Sequence, residues 1–364
     1  MLDRRALNRA TLERQLLLRR WDLPAVAAIE RLVGLQAQTS QTWYAGLFSR
    51  LAGFRPEDVG ALLEQRQVVR IALMRSTIHL VTAEDALALR PLVQPVLERG
   101  LGSNFGRRLV GLDRDEVTAA GREAVDENPR TFGELGRVLA RRWPDREEAA
   151  LAQAVRAWLP LVQVPPRGVW GASGAAAHAA LETWLDQDLR RDYPVDEMVL
   201  RYLAAFGPAT VRDVQTWSGL TRLGEVLERL RPQLITFRDE NGLELFDLPS
   251  APRPEPGTPA PARFLYDFDN LLLSHADRSR VVTSEYRQLA IAAIGPMPRA
   301  VLLDGFTAAT WAIDVARDAA TLTVHPFRTF SATERDSLIT EGESLLAFLA
   351  ARAGEHAVRI EKTG

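Results

Sequence analysis

The chain contains no cysteine, which excludes disulfides, thiolate catalysis, iron–sulfur clusters and cysteine-bound zinc. Lysine is almost absent too: Lys362 is the single one, and arginine supplies every other fixed cation. No apolar run reaches the roughly 18 residues that a membrane span needs. The opening Met1–Gln15 is charged and amphipathic, unlike a secretory signal. A cytoplasmic address without membrane contact is therefore expected. The five histidines are scattered and none pairs at ligand spacing, so neither a metal nor a cofactor is expected. Gly171-Ala172-Ser173-Gly174 lacks the strand, helix and lysine of a phosphate-binding loop.

A chain of 364 residues, 46% hydrophobic and 25% charged, has room for two or three ordinary globular domains. Its net charge of −2 does not advertise a nucleic-acid binder. Net charge says nothing of distribution, however: a basic concave face with an acidic back gives the same total. Arginine is also the side chain whose planar fork binds two phosphate oxygens at once.

Helical periodicity runs over Arg5–Arg20 and Pro24–Val33, and Gly34 should stop the second helix. Beyond that stop lies Gln36-Ala37-Gln38. In extended backbone, residues two apart face the same way, so both amides can enter one cleft. In a continued helix they would diverge. A loop bonding its own backbone is the competing reading.

Trp43, Tyr44, Leu47, Phe48 and Leu51 recur at helical spacing, Pro56–Gln67 is a further helix, and Arg70–Val81 reads as a strand or hairpin. Thr82 then opens a helix. The order of helices followed by β-ribbon is that of a winged helix. It recurs in Arg114–Glu127, Thr131–Trp143, Glu147–Leu159 and a ribbon over Leu161–Trp170. It recurs again in Val195–Phe206, Thr210–Trp217, a candidate recognition helix Thr221–Leu230, and two strands around Asp239-Glu240-Asn241-Gly242. A proline-rich stretch over Pro252–Pro261 should be an exposed, extended linker. Phe264–Phe268, Ala300–Leu303, Thr310–Val315 and Thr321–Phe327 read as a small antiparallel sheet or barrel, closed by a helix over Thr333–Ala353. The expected class is mainly α with β-ribbons, an α+β arrangement. Its expected regions are 1–110, 111–190 and 191–250, a linker at 251–263, and a β-subdomain at 264–364.

Six ordered stretches carry a resemblance: Leu7-Asn8-Arg9; Gly34 to Gln38; Arg75-Ser76-Thr77-Ile78-His79-Leu80; Arg201 to Ala209 with Trp217; Asp269 to Arg278; and Asp304-Gly305-Phe306 with Trp311. Together they resemble the winged-helix DNA glycosylases of the AlkZ and YcaQ type, nearly end to end. The resemblance implies tandem winged helices around a C-shaped, DNA-holding cleft with a C-terminal β-subdomain. It implies excision of N7-alkylated purines, including crosslinks made by azinomycin-like agents. The family's glutamine–apolar–glutamine motif falls on Gln36 and Gln38. The YcaQ branch has an aspartate at the second position, so Gln38 points to the AlkZ branch.

Glutamine does not titrate, so it is no ordinary general base. An N7-alkylguanine leaves as an already cationic group and needs no protonation. What remains is to place a water and to face a sugar becoming cation-like, which amide dipoles can do. No lysine accompanies the motif to support a lyase step. Phosphate grip is expected from Arg9, Arg75, Arg278 and Arg280, with His79, His275 and Asp277 lining the cleft. The partner would be duplex DNA carrying N7-alkylpurine lesions or crosslinks, bound by a monomer. The alternative is a non-catalytic regulator, dimeric and sequence-specific.

Overall fold

The computed structural model describes residues 1–316 and 318–362. The first helix, Arg4–Arg14, is capped by the Asp3 carboxylate on the Ala6 N–H. It stops six residues short of the expected Arg20, because Leu16 adopts φ 61°. That turn sends Leu16 into the main core, while Leu12 and Leu17 enter a smaller core shared with Leu265, Leu271 and Leu302. One leucine stripe thus serves two cores.

The helix Ala25–Arg31 ends through Val33 and Gly34, both at positive φ, and delivers the chain into strand β1, Leu35–Gln36. Strands β2 (Val68–Ala72) and β3 (Ile78–Thr82) form the anticipated hairpin, and β1 lines up antiparallel to β3. The Leu161–Trp170 ribbon is corrected. Only β4, Leu161–Gln163, is a strand, and it pairs with β2 on one side and with β5, His178–Ala180, on the other. A three-residue strand cannot stand in an isolated ribbon; here both its edges are satisfied within a sheet ordered β1-β3-β2-β4-β5. The second helical region thereby completes the sheet of the first.

The third set of helices is Val195–Phe206, Val211–Ser218 and Leu223–Leu230. The paired strands β6 (Ile235–Arg238) and β7 (Glu244–Asp247) follow, the order expected of a winged helix. Both hydrogen bonds of the Thr210–Asp213 capping box are present. The proline-rich stretch is not a free linker. Arg5 donates to the Pro256 carbonyl, Arg9 to Thr258 and Arg14 to Pro252, so the first helix straps it down.

At the C-terminal end β8 (Arg263–Phe264), β9 (Ala300–Leu303), β10 (Phe306–Val315), β11 (Ala319–Pro326) and β12 (Glu355–Ile360) form a second five-stranded sheet. It is not wholly antiparallel: β12 runs parallel to β11, the two connected by the helix Ala332–Leu349. The expected strand Phe264–Phe268 ends at Phe264. Beyond it the chain is irregular, with one 3-10 turn at Asn270–Leu272. That segment reaches back to β1.

Candidate active site

β1 is an edge strand, and an edge leaves backbone donors and acceptors unpaired. The Asn270 side chain fills that edge. Its Oδ1 accepts from the Gln36 N–H at 3.1 Å, and its Nδ2 donates to the Gly34 carbonyl at 2.6 Å. One amide from the C-terminal region thus does the work of a strand and fixes the backbone that carries the glutamines. A second clasp follows, in which the buried Asp267 carboxylate accepts from the Thr39 and Thr42 hydroxyls, each at 2.6 Å.

In the sheet register Gln36 lies opposite His79, and the Ala37 N–H bonds the Ile78 carbonyl. Gln36 therefore shares the face on which His79 lies, and Gln38 sits in the bend that follows β1. Gln36 is 4% exposed, whereas Gln38 is exposed. The Gln36 Oε1 accepts from Arg75 Nη2 at 2.6 Å, and the Gln38 Oε1 accepts from the Ile78 N–H at 3.1 Å. Each amide oxygen keeps a second lone pair. On the opposite face Arg70, buried beneath the motif, donates to the Ala37 carbonyl at 2.7 Å.

Arg75 sits at the tip of the β2–β3 hairpin, where it and Ser76 both take positive φ. Such backbone costs energy in a non-glycine residue and persists only when its surroundings hold it. The restraints are visible: Arg75 Nη1 donates to the Trp217 carbonyl at 2.6 Å, and Arg156 donates to the Ser76 carbonyl at 2.7 Å. Arg75 has no carboxylate partner among the described residues. Burial, and then the neighbouring charge of Arg278, lower its pKa to about 10.

Of the residues singled out in the sequence, Arg75 and His79 therefore meet Gln36, and Arg278 lies near enough to Arg75 for its charge to act there. Arg278 is exposed and contacts only the His275 carbonyl, at 3.4 Å. Asp277, also exposed, accepts from Ser279 in a local turn. The expectation of phosphate grip is corrected for Arg9 and Arg280, and that of cleft lining for His275. Arg9 is fully buried, its guanidinium saturated by Asn8, Thr258 and Asp304. Arg280 is buried on the Pro208 carbonyl, and His275 on that of Phe206. Burial and the Arg280 charge hold the His275 imidazole neutral. These three side chains pin loops together and do not face solvent. Sequence reasoning missed Asp267, Arg70, Arg99 and Arg156. Asp267 adjoins a quoted motif, but only its contact with Thr39 and Thr42 reveals what it does.

Among the described residues no cluster of His, Asp or Glu could hold a metal, and no helix is long and apolar enough to cross a membrane. The chain belongs to the AlkZ-like DNA glycosylase family, whose model, described as DNA glycosylase AlkZ-like, matches residues 29–348. It is accordingly a DNA glycosylase, with DNA as its substrate. Among solved structures it is similar to the DNA glycosylase AlkZ of Streptomyces sahachiroi. The TM-score is 0.77 over 98% of this chain and 99% of that one, at 20% identity, a likeness of fold. No curated protein sequence matches the chain.

Proposed function

We propose that this DNA glycosylase hydrolyses the N-glycosidic bond of N7-alkylated purines, including those that crosslink two strands, and that Gln36 and Gln38 carry the reaction. The supporting observation is the pair of glutamine amides at the end of β1, each with its oxygen fixed by a donor from the β2–β3 hairpin. Fixed dipoles stabilise developing charge without reorganising during the reaction, worth several kcal/mol. Neither amide can protonate a leaving base, so the site suits a base that is already cationic. The reaction is monofunctional: the single lysine lies at Lys362, remote in sequence from the motif, so the motif has no amine at hand for a Schiff base. The enzyme acts as a monomer. The regulator reading is disfavoured by family membership and by the would-be reading helix Leu223–Leu230, which carries Glu225 and Glu228.

The test is single-turnover release of N7-methylguanine, and unhooking of a crosslinked duplex, by wild type and by Gln36→Ala and Gln38→Ala. Each variant should slow by roughly 100- to 1,000-fold. The wild-type rate should be flat between about pH 6 and 8, because amides do not titrate. A rate that rises through a carboxylate pKa would falsify the amide mechanism.

A further inference from the structure

The Gln36 and Gln38 amide oxygens each accept one bond, from Arg75 and from the Ile78 N–H, and each keeps one lone pair. Each oxygen of Asp267, the buried carboxylate that clasps the loop after the motif, accepts from a threonine hydroxyl. Directly across the β1–β3 pair from Gln36 stands His79. Opposed residues of an antiparallel ladder share a face, with Cβ atoms roughly 5 Å apart.

The His79 ring is held in one tautomer. Its Nδ1 lies 3.0 Å from the Thr77 carbonyl, which can only accept, so Nδ1 carries the proton. In the neutral ring Nε2 is then a lone pair. Burial, and then the Arg75 charge, keep the ring neutral, with a pKa pushed down to about 3. Nε2 bonds no described residue, and neither does the Gln36 Nε2, in residues only 1% and 4% exposed. An amide donor and an imidazole acceptor thus flank each other on the motif face, each with a nitrogen that has no partner among the described residues.

We propose that His79 is a third catalytic residue, whose Nε2 accepts a hydrogen bond from the water that attacks C1′ and takes up the proton which that water releases. This rests on the N7-alkylpurine reading above. The C1′–N9 bond breaks and its electron pair returns to the purine, cancelling the positive charge. The water oxygen bonds C1′, and its surplus proton passes to Nε2 and from there to solvent. Nothing is oxidised or reduced. A weak base suffices, since a protonated oxygen on C1′ is a far stronger acid than imidazolium.

Two variants separate the ring nitrogens. In His79→Asn the amide occupies the Nδ1 position, keeping the Thr77 contact and removing the acceptor. In His79→Gln the amide reaches the Nε2 position. In single-turnover release of N7-methylguanine, His79→Asn should be slower by about 100-fold. Its affinity for the same duplex and its melting temperature should stay near wild type. His79→Gln should recover roughly 10-fold of that loss. Nitrogen-15 spectra of the wild-type ring at pH 7 should show protonated Nδ1 and bare Nε2, a readout independent of any variant. A wild-type rate in His79→Asn overturns the proposal, as does a loss that merely tracks affinity or melting, or a ring protonated on Nε2. A large loss in Asp267→Asn with none in His79→Asn would move the role to the carboxylate. If wild type releases no base, the lesion reading falls and takes this proposal with it. If wild type is active and His79→Asn unaffected, only this proposal falls.

Discussion

Arg75 concentrates several forces in one residue. Its fork spans the Trp217 carbonyl and the Gln36 amide oxygen, tying the third helical set to the motif. A lysine carries the charge but cannot bond two fixed acceptors in one plane. Losing one charged hydrogen bond costs about 1.5–3 kcal/mol. Arg75→Lys should therefore slow base release by roughly 10- to 100-fold at saturating protein, with little change in DNA affinity; an unaffected rate would show that Gln36 needs no such brace. Two buried histidines make a second prediction at this scale. Burial lowers His79 to about 3 and His178 to about 4, from an ordinary 6.5. Between those values the unfolded chain binds protons that the native one refuses. Stability is thus intact above about pH 6.5 and falls with acidification, by about 1.4 kcal/mol per pH unit for each histidine. Denaturant unfolding at pH 5 should give a free energy about 4 kcal/mol below that at pH 7 from these two rings alone. His178→Phe should remove about half of that drop.

The element that decides the geometry of the site is β1, and its placement depends on Gly34. At φ +84° a side chain is strained, and a Cβ there would lie 2.4 Å from Val81 Cγ1 and 2.9 Å from the Leu80 carbonyl. Gly34→Ala must therefore push β1 off β3, costing about 2–4 kcal/mol and displacing both glutamines. Gly53 has positive φ with nothing within 4 Å of a Cβ, so Gly53→Ala should cost only about 1 kcal/mol of backbone strain and leave activity intact. Equal losses in denaturation and base release for the two would refute this account of Gly34. The same element shows what sequence reveals. The helix stop and the β2–β3 hairpin are local consequences of a glycine and a run of branched residues, and both were legible. The partner strand of β4, the edge filled by Asn270 and the clasp of Asp267 join residues far apart in sequence, and no local pattern announces them. The Leu12–Leu16–Leu17 stripe misled for a related reason: periodicity reports that residues are apolar, not that they enter the same core.

Across the whole molecule a net charge of −2 has to coexist with a polyanionic substrate. Many arginines are neutralised in ion pairs remote from the motif, as Arg55 is with Asp58 and Arg229 with Asp196. Those near the hairpin tip differ. Arg75, Arg99, Arg156, Arg222 and Arg278 have no carboxylate partner among the described residues, and Arg99 and Arg156 spend their bonds on backbone carbonyls of Gly219 and Ser76. Gly219, in the turn that precedes Arg222, packs against the Arg75 backbone, which brings that turn to the hairpin tip beside the Gln36 brace. A phosphate backbone would supply the missing negative charge, releasing counterions as it binds. Arg222 and Arg278, both exposed, are the two whose loss should disturb the fold least. Arg222→Ala and Arg278→Ala should each weaken binding to damaged and undamaged duplex alike and flatten the dependence of log affinity on log salt by about one. Arg9→Ala, which empties a buried pocket on Asp304, should lower the melting temperature and leave that slope alone. If Arg9→Ala flattens the slope while Arg222→Ala and Arg278→Ala do not, the duplex approaches from another side of the molecule, and the exposed Gln38 is not at its point of entry.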